Sequence, residues 1–282
     1  MVRLLFPLTL LLAAPATAEP TAIDRAFNRM YNFDFPGVHA ILEEQERSDP
    51  GYAMTYSVRA AALLFSELHR MRILETEFFS SDEKVTGTKL KPDPRARELL
   101  FQATREARRL AGAKLEDDPA DRDAMSAMCM ATGIETDYTV LVEKKYFRSF
   151  SLSKQSQMYA RKLLSLDPPV YDAYLTLGTV EYVVGSMNFL FRLFVHFDQI
   201  KGSKQQGVEN LKKVVAHGRF YPPFAKILLS VIYLRENQPK MALPLLTELE
   251  HDYPENPLIR TEVVRANRLV ERTVKSGRSG WR

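Results

Sequence analysis

YLTLGTVEYVVG, residues 174–185, decides the fold. In it Tyr174, the Leu177-Gly178 pair, Tyr182 and Gly185 fall at helical spacing. A small residue at the middle of a helix face lets a second helix approach closely, and the larger residues around it fill the gaps. Working outward, the apolar residues keep that period: Leu99, Leu100, Ala103, Ala107, Leu110 and Ala111 recur at three and four residues, the face of an amphipathic helix. Sustained period-two alternation is almost missing, and only 12 glycines interrupt the chain, so helices are expected throughout.

Helix ends are marked by a recurring pair: Asp49-Pro50, Asp118-Pro119, Asp167-Pro168 and Tyr253-Pro254. Proline lacks the N–H a helix interior needs and pushes the residue before it out of the helical region, so each pair stops a helix. The prolines are spaced by 69, 49 and 86 residues. Those spacings suggest a unit of about 34 residues carrying insertions. A second unit runs ungapped from Pro223 to Asn256. Leu229-Ser230-x-x-Tyr233 supplies its first helix, and Ala242, Leu246 and Leu249 its second. Counting back 12 residues from Pro119 and Pro168 gives Ala107 and Ser156, both in expected second helices.

These residues resemble the tetratricopeptide (TPR) repeat family, in a degenerate form with insertions. Glu181 stands where the family usually has a tyrosine, with Tyr182 beside it. The resemblance covers most of residues 19–256 and implies an all-α solenoid of about five helical hairpins plus a C-terminal capping helix. The expected units are 19–50, with a second helix opened by Pro36-Gly37; 53–119, with helices over Ala53–Phe79 and Pro94–Leu115; 122–168; 171–219; and 223–256. Pro257 to about Lys275 would cap the array, because its last apolar face would otherwise meet water. Residues 276–282 should fray.

Residues 1–18 stand apart. Arg3, the apolar run Leu4–Ala14 and Ala16-Thr17-Ala18 form a positive start, an apolar centre and a small-x-small cleavage site. That is the pattern of a signal peptide, so the chain is expected to be exported, periplasmic or secreted, after cleavage following Ala18. The apolar run is too short to span a hydrocarbon core of ~30 Å. Cys129, the single cysteine, cannot form an internal disulfide, and it falls at the family's small-residue position.

Composition narrows the function classes. With 39 basic and 35 acidic residues, the charge is too balanced to argue for nucleic acid. The five histidines, His39, His69, His196, His217 and His251, show no zinc-ligand spacing. Ser151-x-x-Lys154 lacks the companion motifs of an acylating serine. Glu135 and Asp137 are two apart on a helix and face different ways. No cofactor, metal or catalysis is therefore expected, and the stacked-helix surface points to a scaffold or adaptor for another protein of the cell envelope. A carrier of an apolar small molecule is the alternative.

Binding residues are implied by the resemblance. The first helix of each TPR unit lines the concave groove, which places there Leu64, Phe65, Met130, Ile134, Leu175, Tyr182, Phe224, Ile227 and Val231, together with Asp172. This lining is mostly apolar, unlike the Lys-, Arg- and Asn-rich grooves that grip acidic peptide tails. Extra residues are expected inside three hairpins: Ser80–Pro92, Tyr138–Phe150 and the stretch after Met187. The last holds Phe189, Phe191, Phe194 and Phe197, and three roles stand open for it: core, pocket lining, or peripheral contact with a membrane surface. If export proceeds as expected, the chain recovered from an envelope fraction will begin at Glu19, which N-terminal sequencing checks.

Overall fold

The computed structural model describes residues 19–75, 84, 87–186 and 202–279. The expected signal peptide and the phenylalanines at 189, 191, 194 and 197 lie outside them. Among the described residues there are eleven α-helices and no strand. They follow in neighbouring pairs: α1 (Ala22–Tyr31) with α2 (Phe35–Ser48), α3 (Ala53–Arg70) with α4 (Pro94–Asp117), α5 (Arg122–Asp137) with α6 (Tyr146–Leu164), α7 (Tyr174–Ser186) with α8 (Lys204–His217), and α9 (Pro222–Arg235) with α10 (Pro239–Asp252). The last helix, α11 (Pro257–Ser279), packs on α10 and stays helical past Ser276, where fraying was expected. Among the described residues no helix is long and apolar enough to cross a membrane.

Local chemistry sets the helix ends. Thr21 and Asp24 form a reciprocal cap at the start of α1. Asp34, Asp93, Asp121 and Ser203 each accept a backbone N–H of the first turn they precede, satisfying groups that have no partner inside the helix. Proline sits in the first turn of α2, α4, α9 and α10, where its missing N–H does no harm. Asp49, Asp118 and Tyr253 close α2, α4 and α10 just before their prolines.

The turns within hairpins share one geometry. Phe33, Arg72, Lys144 and Asn237 each adopt a left-handed backbone, with φ between 57° and 63°. In three of the turns the next residue donates its N–H to the carbonyl five residues back, from Asp34 to Arg29, Ile73 to Leu68 and Gln238 to Tyr233. In the fourth, Lys145 reaches back six, to Thr139, because a π-helical turn over Tyr138–Val142 precedes it.

Two boundaries differ from expectation, for physical reasons. The α3 helix stops at Arg70 rather than Phe79. Buried Glu67 holds the Arg70 guanidinium at 2.7 Å and the Asp93 N–H at 2.7 Å, which ties the end of α3 to the start of α4, and Ile73 folds back into the core. The stretch Tyr138–Phe150 is not a loop. Tyr138 is fully buried, edge-on to Phe101 at 5.5 Å, so the chain stays helical to bury it and only Glu143–Lys145 separate the two helices. The extra residues lengthen the helices instead.

Small residues meet where paired helices cross. Cys129 lies against Ser156, with the Ser156 hydroxyl donating to the Cys129 carbonyl at 3.0 Å. Gly178 faces Gly207 so closely that a Cβ on Gly207 would sit 2.7 Å from the Gly178 oxygen and 2.8 Å from Tyr182 Cβ. An alanine there gains ~1 kcal/mol of helix propensity, but overpacking costs about 1–3 kcal/mol. Gly207→Ala is therefore expected to lower the midpoint of thermal unfolding by a few degrees, whereas a solvent-facing glycine-to-alanine change would raise it.

Candidate functional site

The first helices carry the residues expected to line a groove, and most of them pack against the chain itself. Leu64 and Ile134 are buried in one apolar cluster, with Phe65, Met130 and Phe224 half-buried against it. Phe65 meets Phe224 edge-on at 5.2 Å, so α3 and α9 touch although they belong to the second and fifth hairpins. Tyr182 is buried in a second cluster, with Leu175 and Ile227 half-buried beside it, and Val231 is half-buried on the same helix as Ile227. Tyr221 and Tyr253 border both clusters and join them. The Tyr182 hydroxyl donates to Glu236 at 3.1 Å; burial, then the facing carboxylate, pushes its phenol up to about 12.

The first hairpin also meets the C-terminal hairpins directly. The Tyr31 hydroxyl donates to the Phe220 carbonyl at 2.9 Å, and the Asn256 amide donates to the Tyr31 carbonyl at 2.7 Å. Phe27 stacks on Phe220 with ring centres 5.1 Å apart, and Arg219 pairs with Asp24 at 2.9 Å. The turn that makes these contacts is held by Asp172, whose carboxylate accepts the backbone N–H groups of Arg219 (2.9 Å), Phe220 (3.1 Å) and Tyr221 (2.9 Å). Burial raises the Asp172 carboxyl above its ordinary range by more than the three N–H groups lower it.

Beside this seam lies a cleft of about 390 Å³. Asp49, Tyr52, Asp123, Gln45 and Arg219 line it, drawn from the ends of α2, α3 and α5 and from the turn before α9. The Tyr52 hydroxyl donates to Asp123 at 3.2 Å, and burial raises its phenol far above the ordinary value. Burial pushes the Asp24 carboxyl up, but Arg219 and Thr21 together hold it below the usual range. With Arg219 committed to Asp24, the carboxylates of Asp49 and Asp123 leave the cleft acidic. Sequence reasoning missed this place because its lining runs from Thr21 to Phe220, across most of the chain, and none of it carries a motif.

A further acid shares a side of α5 with two of the expected groove residues. Asp137 follows Met130 and Ile134 on one side of α5, at three- and seven-residue steps. Glu135 faces the other way and pairs with Arg108 at 3.2 Å, as its spacing implies. The Asp137 side chain is exposed, and the bulk of protein on its inner side pushes its carboxyl up to about 7. Cys129 is buried and burial raises its thiol, which fits a packing residue. His39 is half-buried, His69, His217 and His251 are exposed, and His196 lies outside the described residues. Among the described residues no three His, Cys, Asp or Glu side chains come together as metal ligands would.

Comparison with family models, with curated proteins and with solved structures finds no match for the chain.

Two measurements test this geometry. Asp172→Ala would leave N–H groups of the seam turn without acceptors, at about 1–3 kcal/mol for each one that water does not reach. Urea unfolding should show a clear loss of stability, with the N-terminal hairpin exchanging its amide hydrogens first. For Asp137 the folded state binds the proton more tightly than the unfolded state, so its contribution to stability falls as pH rises from about 4 to about 7. Solvent contact keeps the effect small. Asp137→Asn should flatten that part of the stability–pH curve, measured by the denaturation midpoint.

Proposed function

We propose that the chain is an exported, TPR-like solenoid scaffold of about five hairpins with α11 as its cap, and that it binds another protein of the cell envelope without catalysing a reaction. The small-residue contacts support the repeat frame. Cys129 meets Ser156 and Gly178 lies against Gly207, in the first and second helices of the third and fourth pairs, where the family places small residues. The left-handed turns recur from hairpin to hairpin, as in a repeated unit.

The acidic cleft beside the seam carries the functional reading. Its volume suits one or two partner side chains, and its exposed carboxylates, Asp49 and Asp123, which accept from Gly51 N–H and Tyr52 O–H but pair with no cation among the described residues, suit basic ones. The packed helices hold those carboxylates in fixed positions, so a partner would not have to order them on binding. The groove residues favour the scaffold over the apolar carrier, because Leu64, Phe65, Ile134 and Tyr182 fill the space that a ligand would need. The carrier reading draws its support from Met130, Leu175, Ile227 and Val231, which stay half-buried.

A photo-crosslinking residue at Gln45 tests the scaffold reading in cells. The expected outcome is capture of one envelope protein, lost when Asp49 and Asp123 are changed to Lys while the melting temperature stays within a few degrees. Capture that ignores both substitutions would overturn the assignment of the cleft. A small apolar molecule retained by the purified chain in native mass spectrometry would favour the carrier.

A further inference from the structure

Phe147 is 80% exposed, the most exposed of the large apolar side chains among the described residues. It lies in the first turn of α6, immediately after the turn Glu143–Lys145. Arg97 bonds Glu143 at 2.8 Å, which brings the start of α4 alongside that turn. Residues 89–98 and 143–150 therefore form one patch. It holds seven cationic side chains (Lys89, Lys91, Arg95, Arg97, Lys144, Lys145 and Arg148) and three acidic ones. Its excess of +4 equals the formal net charge of the whole chain, so the charges of all other residues sum to zero.

The three acids are turned to internal use. Glu143 is largely buried and bonds both Arg97 and Lys145, Asp93 caps the first turn of α4, and Glu98 pairs with Arg105. Lys89, Lys91, Arg95 and Arg148 are exposed and have no acidic partner among the described residues. A single exposed aromatic ring on a patch rich in lysine and arginine makes a poor protein interface, because the centre of such an interface is apolar and depleted in lysine. It matches a lipid surface, where cations meet headgroup phosphates and one ring enters the acyl boundary.

We infer that this patch docks the protein on an anionic phospholipid bilayer, with Phe147 inserted and the surrounding cations on the headgroups. The docked orientation is set by α5, which starts beside Asp123 in the acidic cleft and ends next to the patch. Its 16 residues span roughly 24 Å. A docked molecule would thus hold the cleft away from the bilayer, open to a partner. The docking inference does not depend on the cleft being a binding site.

Co-sedimentation with vesicles tests it, using the chain from Glu19 onward, which holds every described helix and lacks the apolar residues 4–14. The expected result is binding to vesicles containing phosphatidylglycerol, with little binding to pure phosphatidylcholine, and a steep loss on raising the salt. Phe147→Ser should weaken binding about tenfold at unchanged melting temperature. The triple change of Lys91, Arg95 and Arg148 to Gln should weaken it on the order of 100-fold, about fivefold for each cation removed. Equal binding to both vesicle types, no binding at low salt, or no effect of Phe147→Ser would overturn the inference. So would loss of binding on changing Arg265, Arg268 and Arg272 of α11 to Gln with the patch intact, or a partner protein crosslinking through position 147 without lipid.

Discussion

Three backbone N–H groups converge on one carboxylate, that of Asp172, and the arrangement of the helices depends on where it holds them. By binding Arg219, Phe220 and Tyr221 it fixes the turn before α9 and presents Phe220 to α1. Burying a carboxylate costs free energy, and the raised Asp172 carboxyl registers that cost. The site is tolerable because the donors are backbone groups that would otherwise be left without acceptors at the start of a helix. Its consequence is contact between the two ends of the chain. The first hairpin packs against residues 219–221 and 253–256, and two apolar clusters become continuous through Tyr221 and Tyr253.

That contact changes the meaning of the first-helix faces. In an open array they would line an apolar groove. Here Phe65 meets Phe224, and Leu64 and Ile134 lie in the core, so much of the expected lining holds distant helices together. The hydrophobic gain from a buried side chain of that size is about 1.5–3 kcal/mol. That exceeds the usual worth of an exposed ion pair, at most about 1 kcal/mol. Apolar packing therefore carries the contact, and the Arg219–Asp24 pair at its rim sets direction more than strength. The same rim leaves Asp49 and Asp123 facing solvent, which is where polar recognition remains open.

The two functional proposals occupy opposite ends of one helix. The acidic cleft lies at the start of α5 and the basic patch at its far end, with the Phe147 ring standing in water. A nearly neutral chain thus carries separated regions of opposite charge. Composition alone hides that separation, because the total averages it away.

Much of the fold was legible in the sequence. Proline after an aspartate or tyrosine marked the ends of α2, α4 and α10, since a helix cannot continue through that pair. Ser156 was placed by counting back from Pro168 and Cys129 by the repeat resemblance, and their meeting follows because helices crossing at close range demand small residues. Glu135 and Asp137 were separable by helical geometry. These are local facts, set by backbone chemistry within a few turns. The early end of α3 and the helical course of Tyr138–Phe150 were not legible, because they depend on Glu67 reaching Asp93 and on Tyr138 finding Phe101. The cleft and the patch were not legible as places at all. Asp24 meets Arg219 across 195 residues, and Arg97 meets Glu143 across 46. By itself the sequence determined a helical chain with marked ends and small residues at its crossings. The tertiary structure alone decided that the first hairpin meets the last ones, because that contact rests on pairings between distant segments that leave no periodic trace in either one.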